Sequence, residues 1–137
     1  MSRRLVASDL QRVGWECVHF APEPPAPSVR SELDASEIAV VELDGGSIAT
    51  DAEALGAVAR ALRFPDYFGV NWDALDECLR DLGDWFPAKG YVMVVRGAGA
   101  LWQKAPDTAG MLVEVWLSAA EAWGASRTPF HLVFAWA

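Results

Sequence analysis

Three stretches of the chain carry apolar or aromatic side chains at nearly every position: IAVVEL (38–43), YVMVV (91–95) and FHLVFAW (130–136). Runs of this length without polar alternation suit strands covered on both faces, as in a parallel sheet, better than half-exposed strands. Between them the period becomes helical. Thr50 and Glu53 form a T-x-x-E capping box, and Leu55, Val58, Ala59 and Leu62 follow on one face. A second helix is predicted from Asn71, an N-cap residue type, with Leu75, Cys78, Leu79 and Leu82 at i, i+3, i+4 and i+7. A third, over 108–123, lines up Met111, Leu112, Val115, Ala119 and Trp123, with Gly124 as its expected stop. GALWQKA (99–105) allows a further short helical piece. The alternation predicts an α/β fold: a small three-stranded parallel sheet with right-handed crossovers, flanked by about four helices.

Residues 1–37 follow a different pattern. SDLQRVG could form a short helix and WECVHF a short strand, whereas PEPPAP (22–27) reads as a stiff extended connector, because its prolines fix φ and lack donors. The expected organisation is an N-terminal extension over 1–37 and one domain over 38–137. There is no internal repeat.

Composition narrows the class. At 137 residues with 53% hydrophobic and 22% charged positions, the chain suits one globular domain. Its net charge of −8 argues against nucleic acid or anionic membranes and favours a cationic partner. The two arginines near the start precede no apolar stretch, so no signal peptide is expected, nor does any run reach membrane-span length. With only Cys17 and Cys78, no disulfide framework is expected, and a reduced cytoplasmic setting follows.

Catalytic chemistry finds little to work with. His19 and His131 each fall inside an apolar, strand-like run, where a histidine is more often a hydrogen-bonded structural residue than a base. Cys78 lies on an apolar helix face and behaves as a small hydrophobe. GGS (45–47) and RGAGA (96–100) lack the spacing of a phosphate loop and read as turns. Asp73, Asp76 and Glu77 share a helical face, but without the alternating acids and central glycine of a calcium loop, or a nearby histidine or cysteine for zinc or iron. Paired carboxylates for glycoside hydrolysis must be held apart across a cleft, which one helix face does not supply. No enzyme activity, cofactor or metal is expected.

The acids are nonetheless concentrated. FPDYFGVNWDALDECLRDLGDW (64–85) holds six carboxylates against the single base Arg80. Acids early in a helix suit its dipole, and Asp76 four residues before Arg80 is a favourable pair, so the stripe could be a solvated face. The aromatics are not explained that way. Tyr67 and Phe68 in a turn after Pro65, and Trp72 at the helix start, resemble a protein-binding hot spot. The residue pattern alone leaves both readings open.

The same segment closely resembles the signature of the barstar family of ribonuclease inhibitors, on Pro65, Asp66, Tyr67, Phe68, Gly69, Asn71, Asp73, Ala74, Leu75, Cys78 and Leu79. PAKGYVMVV and PFHLVFA are similar to the family's later strands, and the resemblance spans roughly 38–137. It implies a three-stranded parallel sheet with flanking helices, and an intracellular immunity protein, or antitoxin, that blocks the active site of a basic secreted ribonuclease or related toxin in a one-to-one complex. It also implies the contact residues. Tyr67 is the aromatic contact, Asn71, Trp72 and Asp73 line the helix start, Glu77 replaces the family's central aspartate and Asp76 stands where the family has a tryptophan. Trp85 follows a loop tryptophan, and Ser118 takes the place of a glutamate on the last helix, with Glu114 and Glu121 a turn either side. The alternative is a barstar-like module that holds a non-ribonuclease partner without inhibiting catalysis.

Overall fold

The computed structural model describes residues 4–137, so the first three residues of the expected extension lie outside it. At its centre lie four strands: β1 (Val18–Ala21), β2 (Ile38–Asp44), β3 (Gly90–Arg96) and β4 (Phe130–Ala135). Their order is β1-β4-β3-β2, and every neighbouring pair is parallel. The helices are α1 (Ala7–Gln11), α2 (Pro27–Ala35), α3 (Asp51–Ala61), α4 (Trp72–Arg80), α5 (Ala98–Lys104) and α6 (Pro106–Ala125).

The three long apolar runs are β2, β3 and β4, but the expected sheet of three strands is corrected to four. The extra strand, β1, comes from WECVHF and the alanine after it, pairing Val18 with Leu132 through to Ala21 with Ala135. Four residues are too few to show a period. What makes them a strand is the backbone edge that β4 leaves open beside them.

β3 is buried along its length except at Arg96, and all of β4 is buried. Leu43, Val94 and Val133 are accordingly closed to solvent. Strands apolar on both sides need a layer on each side. One face meets α3–α6 in the larger core, around Trp116, Tyr91, Met93 and Phe134. The other face presents Val92, Val94, Val133 and Ala135, which share a second core with Ala7 and Leu10 of α1, Ala21 of β1 and Leu33 of α2. Helix α2 leaves little trace in the sequence, because PSVRSELDA carries only Val29 and Leu33 as large apolar residues. The proline run links β1 to it, and Pro27 is its first helical residue, where a missing N–H costs nothing.

Local signals hold elsewhere. Thr50 Oγ1 accepts from the Glu53 amide (3.1 Å) to start α3, while Glu53 reaches back to the Ala49 amide (3.0 Å). Gly124 does not stop α6, which runs through it to Ala125; Arg127, at φ +57°, makes the left-handed turn instead. Its amide donates to the Gly124 carbonyl (3.0 Å) and that of Thr128 to the Trp123 carbonyl (2.9 Å), so the reversal is held by backbone bonds that need no glycine.

The two histidines meet across the β1–β4 pair. His131 Nε2 lies 2.7 Å from the Arg12 carbonyl, to which it must donate. Its Nδ1 is then the acceptor for His19 Nε2–H at 2.8 Å. This chain of bonds ties the loop after α1, β1 and β4 together around a fully buried ring.

Two outcomes test this architecture. If α2 completes the second core, Leu33→Ala should cost about 2–5 kcal/mol in denaturant unfolding; a cost near zero would mean that α2 merely rests on the surface. Burial holds the His131 pKa below its ordinary value of 6.5. The unfolded ring therefore gains a proton that the folded ring refuses, so stability should be complete above about pH 6.5 and fall as pH drops through that value towards the depressed folded pKa. Urea titrations at pH 7.5 and 5.5 measure this slope, and His131→Asn should flatten it; an unchanged slope in the variant would assign the effect to other groups.

Candidate protein-binding site

Helix α4 begins where Asn71 Oδ1 accepts from the Ala74 amide at 2.8 Å. Leu75, Cys78 and Leu79 are buried along one side, which fixes the rotation of the helix. Asp73 and Glu77, one turn apart, are left exposed on the other side. Among the described residues neither forms an ion pair.

Asp76 is placed differently. It is half-buried, and its Oδ1 accepts from Arg80 Nε at 3.2 Å. Arg80 Nη2 also donates to the carbonyl and hydroxyl oxygens of Ser118 on α6, at 2.8 and 2.9 Å. The only base in the acidic segment is thereby occupied by α4 and α6. Trp123 of α6 adds a second tie, donating from Nε1 to the Leu79 carbonyl at 2.9 Å. Ser118 thus joins the site as the anchor of Arg80.

The loop before α4 is built on aromatics. A turn closes from the Phe68 amide to the Pro65 carbonyl (3.1 Å). Phe64 meets Phe68 edge-on at 5.0 Å and Trp85 at 5.8 Å. Trp85 is half-buried, donates from Nε1 to the Leu62 carbonyl (3.1 Å), and stands perpendicular to Tyr67 with centroids 6.4 Å apart. Trp85 therefore supports Tyr67, a residue that is 72% exposed. Trp72 leans the other way and donates to Asp51 Oδ2 of α3 at 3.3 Å; Asp51 in turn accepts from Thr108 of α6 at 2.5 Å.

The electrostatics bring loop and helix together. The Tyr67 hydroxyl has a raised pKa, first through desolvation and then through Cys78, Asp81, Asp84 and Glu77. Burial, with Glu77 and Asp81, also raises the Cys78 thiol, which keeps it protonated and unreactive. Two residues of this surface escape the sequence reasoning: Asp81, four positions after Glu77, and Val70, 61% exposed between Tyr67 and Asn71. The i, i+4 spacing from Glu77 was the available signal for Asp81. An apolar residue in a loop gives no comparable signal.

The eight residues thus fall into three groups. Tyr67 with Glu77 forms one, backed by Trp85. Asn71, Trp72 and Asp73 mark the helix start, and Asp76 with Ser118 is joined through Arg80. Among the described residues no cluster of His, Cys, Asp and Glu could hold a metal ion, and no helix is long and apolar enough to cross a membrane. Together these residues form an acidic, aromatic-edged surface on α4 and the loop before it.

No curated protein matches the chain. A family model described as Barstar (barnase inhibitor) matches residues 38–135, from the start of β2 to the end of β4 and across every residue of the surface above. The chain belongs to the barstar family.

Proposed function

We propose that this protein is an intracellular inhibitor, an immunity protein that blocks a basic ribonuclease toxin by docking α4 and the Tyr67 loop into its phosphate-binding cleft. The observation that carries the reading is the pair Asp73 and Glu77, exposed one turn apart with no basic partner among the described residues of their own chain, beside the exposed ring of Tyr67. Family members are inhibitors rather than enzymes, which accords with a site made of carboxylates and aromatics.

The chemistry is that of a phosphate mimic. A cleft that binds RNA phosphates holds Arg, Lys or His at fixed spacing, and carboxylates on a rigid helix can take those places. Because Arg80 holds α4 to α6, little ordering remains to be done on binding. Tyr67 adds a large apolar contact held by Trp85. Asp76 contributes less free charge than its neighbours, since Arg80 already neutralises part of it. The excess of negative charge draws a cationic partner from a distance.

A pull-down with the full chain from its native host, followed by mass spectrometry and a ribonuclease assay, tests the identity of the partner. A captured protein without ribonuclease activity would replace this reading with the non-inhibitory module.

With the partner in hand, the residues should rank in a stated order. Glu77→Ala and Asp73→Ala should each weaken binding by about 2 kcal/mol or more, because partner cations are left desolvated and unpaired. Tyr67→Ala should cost at least about 1 kcal/mol. Asp84→Ala, exposed and further along, should cost about 1 kcal/mol or less. Calorimetry measures all four, and wild-type affinity in both Glu77→Ala and Asp73→Ala would sink the docking surface. Stopped-flow kinetics supply a separate check: the association rate should fall steeply as salt rises while dissociation changes little. An association rate indifferent to salt would make the charges incidental.

A further inference from the structure

Strand β2 is an edge strand. It pairs with β3 in one continuous register from Ile38 with Gly90 to Asp44 with Arg96, and among the described residues nothing pairs with its other side. Along that side runs a groove of about 470 Å³. Its floor is Ile38–Val41, one wall is α2 through Arg30 and Asp34, and the other holds Arg63 and Phe86. Natural sheets usually guard such an edge with a proline, a bulge or an unpaired charge. β2 has no proline and no slip of register. Its one central charge, Glu42, is neutralised by Arg30 and by Arg96 (3.3 Å). Ala39, Val40 and Val41 are only partly covered.

We propose that this edge binds a second copy of the chain, β2 against β2 in antiparallel pairing, to form one continuous eight-stranded sheet. The charges on α2 favour this occupant. Arg30 and Asp34 lie one turn apart and both face the groove. Because Arg30 bonds Glu42 near the end of β2 and Asp34 lies one turn towards its start, α2 runs antiparallel to the strand. A two-fold axis through Val41 reverses that direction in the second copy, so each Arg30 comes level with the other copy's Asp34. The contact is self-complementary, as a two-fold interface requires. Asp34 forms no ion pair among the described residues of its own chain, which leaves it available. Arg63, already stacked over Phe86 at 4.6 Å, provides a cation and a ring on the other face of the added strand.

Charge reversal gives a test that needs no other protein. Sedimentation of the full chain over a concentration series should show a monomer–dimer equilibrium. Asp34→Lys alone and Arg30→Glu alone each set like charges opposite one another twice per dimer, and each should raise the dimer dissociation constant by at least about tenfold. Mixed in equal amounts, the two variants restore both pairs and should form a heterodimer at least about tenfold tighter than either variant alone, short of wild type because Arg30→Glu also removes a cation from Glu42 in one copy. Near-ultraviolet circular dichroism matching wild type confirms that each variant is folded. Either variant dimerising as wild type does, or a mixture no tighter than the variants alone, would overturn the proposal. So would a wild-type chain that stays monomeric at every concentration, including one that captures an extended peptide instead.

Discussion

The β3–β4 pair is the constraint from which the rest of the molecule follows. Ten of the side chains on these strands that would otherwise alternate between core and water are instead apolar and closed off on both faces, with His131 the buried polar exception. Such a pair cannot stand at the surface. One face recruits α3–α6 and the other recruits α1 and α2, while β1 extends the sheet beside β4, so residues 4–37 supply the second face's helices and the fourth strand. The His19–His131–Arg12 chain of hydrogen bonds then satisfies the one polar ring that this arrangement encloses, at the seam where the N-terminal segment joins β4.

From that sheet the site is reached in two steps. Packing of Leu75, Cys78 and Leu79 sets the rotation of α4, and Arg80 and Trp123 fix the helix against α6. The rotation decides which acids face outwards: Asp73 and Glu77 point to solvent, and Asp76 is drawn down to Arg80. The aromatic loop is fixed separately, by Trp85 bonding the end of α3 and turning its ring edge to Tyr67. Two rigid supports thus converge on one surface, and neither depends on the carboxylates that the surface displays.

The legible parts of the sequence were those whose signals are local and repeated. The apolar runs of β2–β4, the Thr50 and Asn71 caps and the α4 stripe each state their element within a dozen residues. The barstar-like motif added the loop and helix start of the site. β1 and α2 were hard to read because each is short and depends on a distant partner: β1 exists through pairing with β4, more than a hundred residues away, and α2 through Leu33 meeting the second face. Gly124 misled for a related reason. A glycine permits a helix to stop but does not compel it, and here Trp116, Ala119 and Trp123 continue to pack against the sheet and α4, carrying the helix onward. The role of Arg80 was half visible: its pairing with Asp76 follows from spacing, but its bond to Ser118 spans thirty-eight positions and belongs to tertiary structure.

The use made of Arg80 separates this surface from an ordinary solvated helix face. On such a face, acids and bases alternate and cancel one another at little cost. Here the one base among six acids is engaged along the α4–α6 surface, with its guanidinium divided between Asp76 and the Ser118 oxygens. The fold therefore spends its local cation on holding α4 in place and leaves Glu77, Asp81 and Asp84 around Tyr67, with Asp73 exposed at the helix start. Like charges gathered on one exposed face lower their mutual repulsion when counterions or a cationic partner approach. A surface arranged in this way gains most from a partner whose own charges are fixed and positive. In the proposed inhibitory role, the cations of such a partner are what the acidic helix would meet.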